Sequence, residues 1–164
     1  MAEEQIPLTK FFNGWGVYQQ KIAKSLAPLI DEQLTLRVAP HLRSIGEIAL
    51  HIIAVRVRWF TQVLQVDEPD LLPLATWDRP TPDTPTRTAS ELVEGFAATW
   101  GMVERALAKW TPADLDAVIE GTRHGEHYSF TRQWVIWHVA EHDLHHGGEI
   151  SLTLGANNLQ APDI

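Results

Sequence analysis

The sequence predicts an all-α protein, an antiparallel four-helix bundle with a long crossover between its second and third helices. Three observations carry this expectation. Four stretches repeat apolar residues at spacings of three and four, the period of a helix that buries one face. Capping signals bound them. Between the second and third lies "VDEPDLLPLATWDRPTPDTPTRTAS", which holds five of the ten prolines and reads as a connection too long for a simple turn. With 164 residues and no internal repeat, the chain is expected to form one domain, 1–164.

The first helix is expected over about 8–26, where Phe11, Trp15, Tyr18, Ile22 and Leu26 form the stripe and Pro28 follows. The second opens at "SIGE", where Ser44 caps free N–H groups and Glu47 reaches back. Its apolar positions, Ile45, Ile48, Ile52, Val55, Trp59 and Val63, continue to about 65. The third starts with a second capping box, "TASE" at 88–91, and runs to about Lys109. Thr111-Pro112 marks a short helical turn. The fourth is expected from about 130 to 154, capped by Ser129 and ended by Gly155. Strand signals are weak.

Composition removes several function classes. Apolar residues make up 45% and charged residues 21%, so neither disorder nor membrane composition fits. No apolar run approaches the ~18 residues of a membrane span, and "MAEEQIPLTK" lacks the basic flank and apolar core of a signal peptide. A cytoplasmic protein is expected, with no membrane partner. The net charge of −8 argues against nucleic acid as a partner. Cysteine is absent, so thiol chemistry needs a thiol from outside.

The residues that point to chemistry cluster in "HVAEHDLHHGGEI", residues 138–150. On a helix, His138, His142, His145 and His146 fall within an arc of about 100°. Trp134 and Leu152 share that side, which is expected to face the bundle. His142 and His146 stand one turn apart, as do His138 and His142, so spacing offers two candidate metal-binding pairs. His51, on the margin of the second helix's stripe, is the natural third ligand. His41 follows Pro40 outside the helix, and His124 and His127 sit in a loop better suited to solvent or substrate. Two glycines within a helix cost roughly 1 kcal/mol each relative to alanine. A close-packed neighbour accounts for such a pair, although Gly147 itself is expected to face solvent.

"SIGEIALHI", followed far downstream by "YSFTRQWVIWHVAEHDLHHGGEI", resembles the DinB/YfiT-like metalloprotein superfamily, the DinB family in particular. The resemblance extends over nearly the whole chain. It implies a four-helix bundle with a long crossover, often a homodimer, and a metal held by His51, His142 and His146. His138 then becomes a neighbouring group behind the ligands or an alternate ligand. One departure is Gly147, where many relatives carry arginine, so no substrate contact by such an arginine carries over.

Three imidazoles leave coordination positions open to a small-molecule substrate, whereas structural zinc usually has four protein ligands. All-nitrogen ligation favours zinc or nickel, with ferrous iron behind them. The resemblance then implies a metal-dependent enzyme, either an S-transferase using an external low-molecular-weight thiol or a hydrolase. The alternative is a non-catalytic metal-binding homodimeric scaffold or a small-molecule binding protein. Glu149 shares the histidine side and is the candidate to orient an imidazole or act as a base; Asp143 is turned away. Trp15, Tyr18, Trp59, Trp134 and Trp137 are candidates to line an apolar pocket, though core packing accounts for most of them.

Overall fold

The computed structural model describes residues 6–123 and 125–163 and is mostly helical, with one small two-stranded sheet. A 3-10 turn at Leu8–Lys10 precedes α1, Asn13–Leu26. The break between them exposes Phe11, which the helical stripe had placed inside, while Trp15, Tyr18, Ile22 and Leu26 are buried. A short α2, Asp31–Leu34, which no apolar period announces, leads into the loop before α3, Ile45–Val57.

The Ser44 cap forms with both halves of its box: Ser44 Oγ accepts from the Glu47 N–H, and the Glu47 carboxylate accepts from the Ser44 N–H. Beyond α3 the chain widens into a π-helical turn, Arg58–Val63. The proline-rich connection is partly ordered as a 3-10 segment, Pro69–Thr76. The helix α4, Ala89–Lys109, begins at its Thr88 cap as the "TASE" box requires.

The stretch 118–131 corrects the expectation of an all-helical chain. Strands β1, Val118–Arg123, and β2, Glu126–Thr131, pair antiparallel with Ile119 opposite Phe130 and Gly121 opposite Tyr128. The tight turn uses Gly125 at φ +83°, a backbone region that favours glycine. Ile119, Tyr128 and Phe130 lie at the alternating positions of a strand and pack on the core from one face. Ser129 is therefore a strand residue. The final helix α5, Arg132–Ala156, is capped by Thr131, whose hydroxyl accepts from the Trp134 N–H, and it passes through Gly155 to end at Asn157.

The long helices touch in a closed cycle, α1 with α4, α4 with α3, α3 with α5 and α5 with α1. Two apolar clusters fill the interior. One contains Val57, Phe60, Met102, Val103 and Val135; the other contains Ile22, Ile52, Leu92, Phe96 and Ile150. Where they meet, each long helix contributes a buried polar group: the indole N–H of Trp15, itself part of the first cluster, from α1, Arg56 from α3, Thr99 from α4 and Asp143 from α5. Trp15 Nε1 donates to Asp143 at 2.7 Å, Arg56 Nε donates to the same oxygen at 2.8 Å, and Arg56 Nη1 donates to Thr99 at 3.3 Å. Among the described residues, no helix is long and apolar enough to cross a membrane.

Candidate metal centre

The buried face of α5 is centred on Val135, Val139, Asp143, Gly147, Ile150 and Leu154, and the histidines occupy one flank of it. This corrects the expected orientation of that side. Trp134 is 42% exposed and Leu152 63%, so the histidine arc begins in solvent and turns inward only at His142 and His146. The flank it turns toward is α3, which presents His51.

The three rings meet. His51 and His142 have centroids 4.9 Å apart, His51 and His146 4.9 Å, and His142 and His146 4.3 Å. One nitrogen from each lies within 4.8 Å of the others, close enough to share one ion. Carboxylates fix two of the rings from behind. Asp78 Oδ2 lies 2.7 Å from His51 Nδ1, and Glu149 Oε2 lies 2.6 Å from His146 Nδ1. A carboxylate at Nδ1 holds the proton there and leaves Nε2 as a lone pair, the arrangement that metal-binding histidines use. His142 differs: both ring nitrogens are buried, with no hydrogen-bond partner among the described residues. A buried polar atom without a partner costs about 1–3 kcal/mol unless a ligand satisfies it. The donor set and this orphaned ring both fit a divalent cation.

Electrostatics keep the three rings neutral. Burial lowers the His51 pKa below its ordinary value, with Arg43 adding to the effect and Asp78 opposing it. Burial lowers His142 against the pull of the adjacent Asp143 carboxylate, and neighbouring His146 adds to the lowering. His146 is also lowered by burial, against the pull of Glu149. Neutral imidazole is the form that binds metal.

Asp78 and its support were invisible to sequence reasoning. Arg58, on the π-helical turn after α3, donates to Asp78 Oδ1 at 2.7 Å, to Asp78 Oδ2 at 2.8 Å and to the Ala75 carbonyl at 2.7 Å. Burial raises the Asp78 carboxyl, but its Arg58 and His51 hydrogen bonds outweigh that and bring it down to about 2. The acidic residue inside "TWDRP" was the available signal, yet nothing local ties it to a histidine 27 positions earlier.

The remaining candidates fall outside the triad. His138 packs parallel to Trp134, with centroids 5.0 Å apart, and edge-on to Trp59; its ring is 6.5 Å from His142. His145 is largely exposed and lies 3.6 Å from Glu149, forming a second, shallower cluster with His146. His41 is exposed at the mouth of the site, His127 is exposed on β2, and His124 lies outside the described residues. Asp143 is fully enclosed in the core, salt-bridged to Arg56, with its carboxylate also beside the His142 ring. Gly147 also departs from expectation. It is buried, and an added Cβ would overlap the Tyr18 ring and hydroxyl. Tyr18 passes this point to donate to the Leu144 carbonyl at 3.0 Å. Of the aromatic candidates, Trp15 and Tyr18 are core residues and Trp137 is 57% exposed.

Comparison with known proteins agrees with this architecture. A DinB-like protein from Bacillus cereus ATCC 10987 superposes with a TM-score of 0.71 at 20% identity, over 96% of this chain and 97% of that one. A conserved protein from Enterococcus faecalis gives a TM-score of 0.68 at 15% identity, over 92% and 97%. No curated protein matches at a significant level. The family model described as the DinB superfamily matches residues 18–150, from Tyr18 in α1 through the last histidine of the triad. The chain belongs to the DinB superfamily.

Proposed function

We propose that His51, His142 and His146 hold one divalent cation, zinc or nickel ahead of ferrous iron, and that the chain is a metal-dependent enzyme acting on a small molecule. The convergence of three neutral imidazoles, two of them oriented by carboxylates, carries this reading. Three protein nitrogens leave coordination open, the pattern of reactive rather than structural sites. Such a cation supplies Lewis acidity, the chemistry that makes water or an external thiol a better nucleophile near neutral pH. The protein's own part is positional. Arg58 holds Asp78, Asp78 holds the His51 tautomer, and Glu149 holds that of His146. With its carboxylate committed to His146, Glu149 acts by positioning rather than as a free base.

The reaction class we favour is S-transfer with an external low-molecular-weight thiol, or hydrolysis. The closed cycle of helix contacts supports reading the scaffold as a four-helix bundle whose crossover, residues 64–88, brings Asp78 to the metal. After metal removal and reloading, wild type is expected to take up one ion per chain. His51→Ala and His142→Ala should each cut occupancy sharply, and His138→Ala should not. A thermal-shift panel of glutathione, coenzyme A, mycothiol and bacillithiol then separates the routes. Metal-dependent stabilisation by one thiol favours transfer, and silence across the panel removes it.

A non-catalytic homodimeric scaffold is the second reading. Trp137, Leu144 and Leu152 expose apolar surface along one side of α5, next to the histidine flank. Exposed apolar surface of this kind is a mark of association. Light scattering would show a dimer, and loss of the dimer in Leu144→Glu would assign the face.

A further inference from the structure

We infer that Arg43 is a specificity-determining residue that recognises an anionic oxo group, carboxylate or phosphate, on a small molecule whose other end reaches the three-histidine site; this deepens the metal-site reading and rests on it. Two clefts adjoin the site, one reaching His51 and the other reaching Glu149, the partner of His146. One, of about 290 Å³, is bounded by His51, Asp78, Arg37 and Glu47; the other, of about 320 Å³, is bounded by Glu149, Ile48 and Leu152. His41, Leu42 and Arg43 line both, so Arg43 stands where the two meet, near enough for its charge to act on His51.

Every carboxylate bordering these clefts already has a partner. Glu47 takes a bidentate pair from Arg37 at 2.7 and 3.1 Å, Asp78 is held by Arg58 and His51, and Glu149 by His146. Arg43 has no hydrogen bond or ion pair to any described residue. Its backbone is nonetheless held on both sides, since Arg37 also donates to the Leu42 carbonyl and Ser44 is locked in the α3 cap. An unpaired guanidinium on a fixed backbone, in a chain of net charge −8, is a donor fork set for an anion from outside.

The test uses full-length protein loaded with Co²⁺, with thiols as probes because any thiol reports on metal contact through the thiolate-to-cobalt absorption band. Neutral 2-mercaptoethanol is titrated against 3-mercaptopropionate and 2-mercaptoethylphosphonate. The wild type should bind at least one anionic thiol about tenfold more tightly than the neutral one, and the tighter of the two identifies carboxylate or phosphate. Arg43→Gln should abolish that preference with Co²⁺ stoichiometry and melting temperature unchanged. Arg43→Lys should retain part of it, and Lys24→Gln, an equal change of net charge elsewhere, all of it. Equal affinity for the three thiols in wild type overturns the proposal, as does a preference that survives Arg43→Gln. Failure to take up Co²⁺ at all overturns the metal reading and this proposal with it, so the two failures are separable.

Discussion

At the scale of single residues, the carboxylates behind the imidazoles decide how well the site is built. The outer partner of a metal-binding histidine typically contributes 10–100-fold to metal affinity. Asp78→Asn keeps the shape of the side chain but removes the charge that fixes His51 Nδ1, so metal affinity should fall by about tenfold in chelator competition. An unchanged affinity would mean that Asp78 serves only Arg58. Gly147 poses a packing question that can be isolated in the same way. Overpacking a filled interior costs typically 1–3 kcal/mol, so Gly147→Ala should destabilise by about 2 kcal/mol in urea unfolding. The worst overlap of the new Cβ is with the Tyr18 hydroxyl. Adding Tyr18→Phe should therefore recover part of the loss, and strict additivity of the two changes would reject the contact as the cause. The pair His142 and His146 was legible as one of two candidates because its spacing is local to one helix. His51 stands on α3, and the family resemblance was needed to select the set. Gly147 was misread because Trp134 and Leu152 placed the histidine side inward, whereas α5 packs through Val135, Val139 and Ile150, a face that includes Gly147.

Between elements, the notable feature is that each long helix sends one polar side chain to a shared network at the boundary of the two apolar clusters. Arg56 and Asp143 are both essentially inaccessible. Burial raises the Asp143 carboxyl, but the Arg56 charge, the adjacent His142 ring and the hydrogen bonds from Arg56 and Trp15 together outweigh this and lower it. Breaking a buried pair from one side strands a charge and costs about 3–5 kcal/mol, whereas replacing both partners by apolar groups is often neutral. Asp143→Ala should therefore lower stability by that order, while the Arg56→Met, Asp143→Leu double variant should recover most of it. Because Asp143 follows His142 directly and bridges α5 to α3, the double variant should fold but bind metal less tightly than wild type; full affinity there would confine the pair to stability. Helix boundaries at Ser44 and Thr88 were legible because both capping boxes are local chemistry. The hairpin was not, because β1 and β2 are six residues each and acquire their identity by pairing with each other. Arg56 escaped notice for a related reason: its partner is 87 residues away.

For the molecule as a whole, folding and metal binding draw on the same three rings. Each of His51, His142 and His146 has its pKa lowered from 6.5 in the folded chain. The unfolded chain therefore takes up protons first as pH falls, so stability is fully present above about 6.5 and declines below it. Protons and metal also compete directly, because only neutral imidazole is a ligand. At a free metal concentration 100 times Kd, binding to the folded state adds about 2.7 kcal/mol. For a chain of this length that corresponds to a rise in Tm of roughly 5–10 °C. Melting curves with and without Zn²⁺ should accordingly diverge at pH 7.5 and converge as pH is lowered through 6, with the metal-free curve itself moving to lower temperature. His142→Ala should remove the divergence at every pH. Removing this buried ring also relieves the metal-free protein of an unsatisfied polar group, which offsets part of the cavity it leaves. A stabilisation by Zn²⁺ that is independent of pH, or that persists in His142→Ala, would place the ion elsewhere on the surface and separate the fold from the chemistry proposed for it.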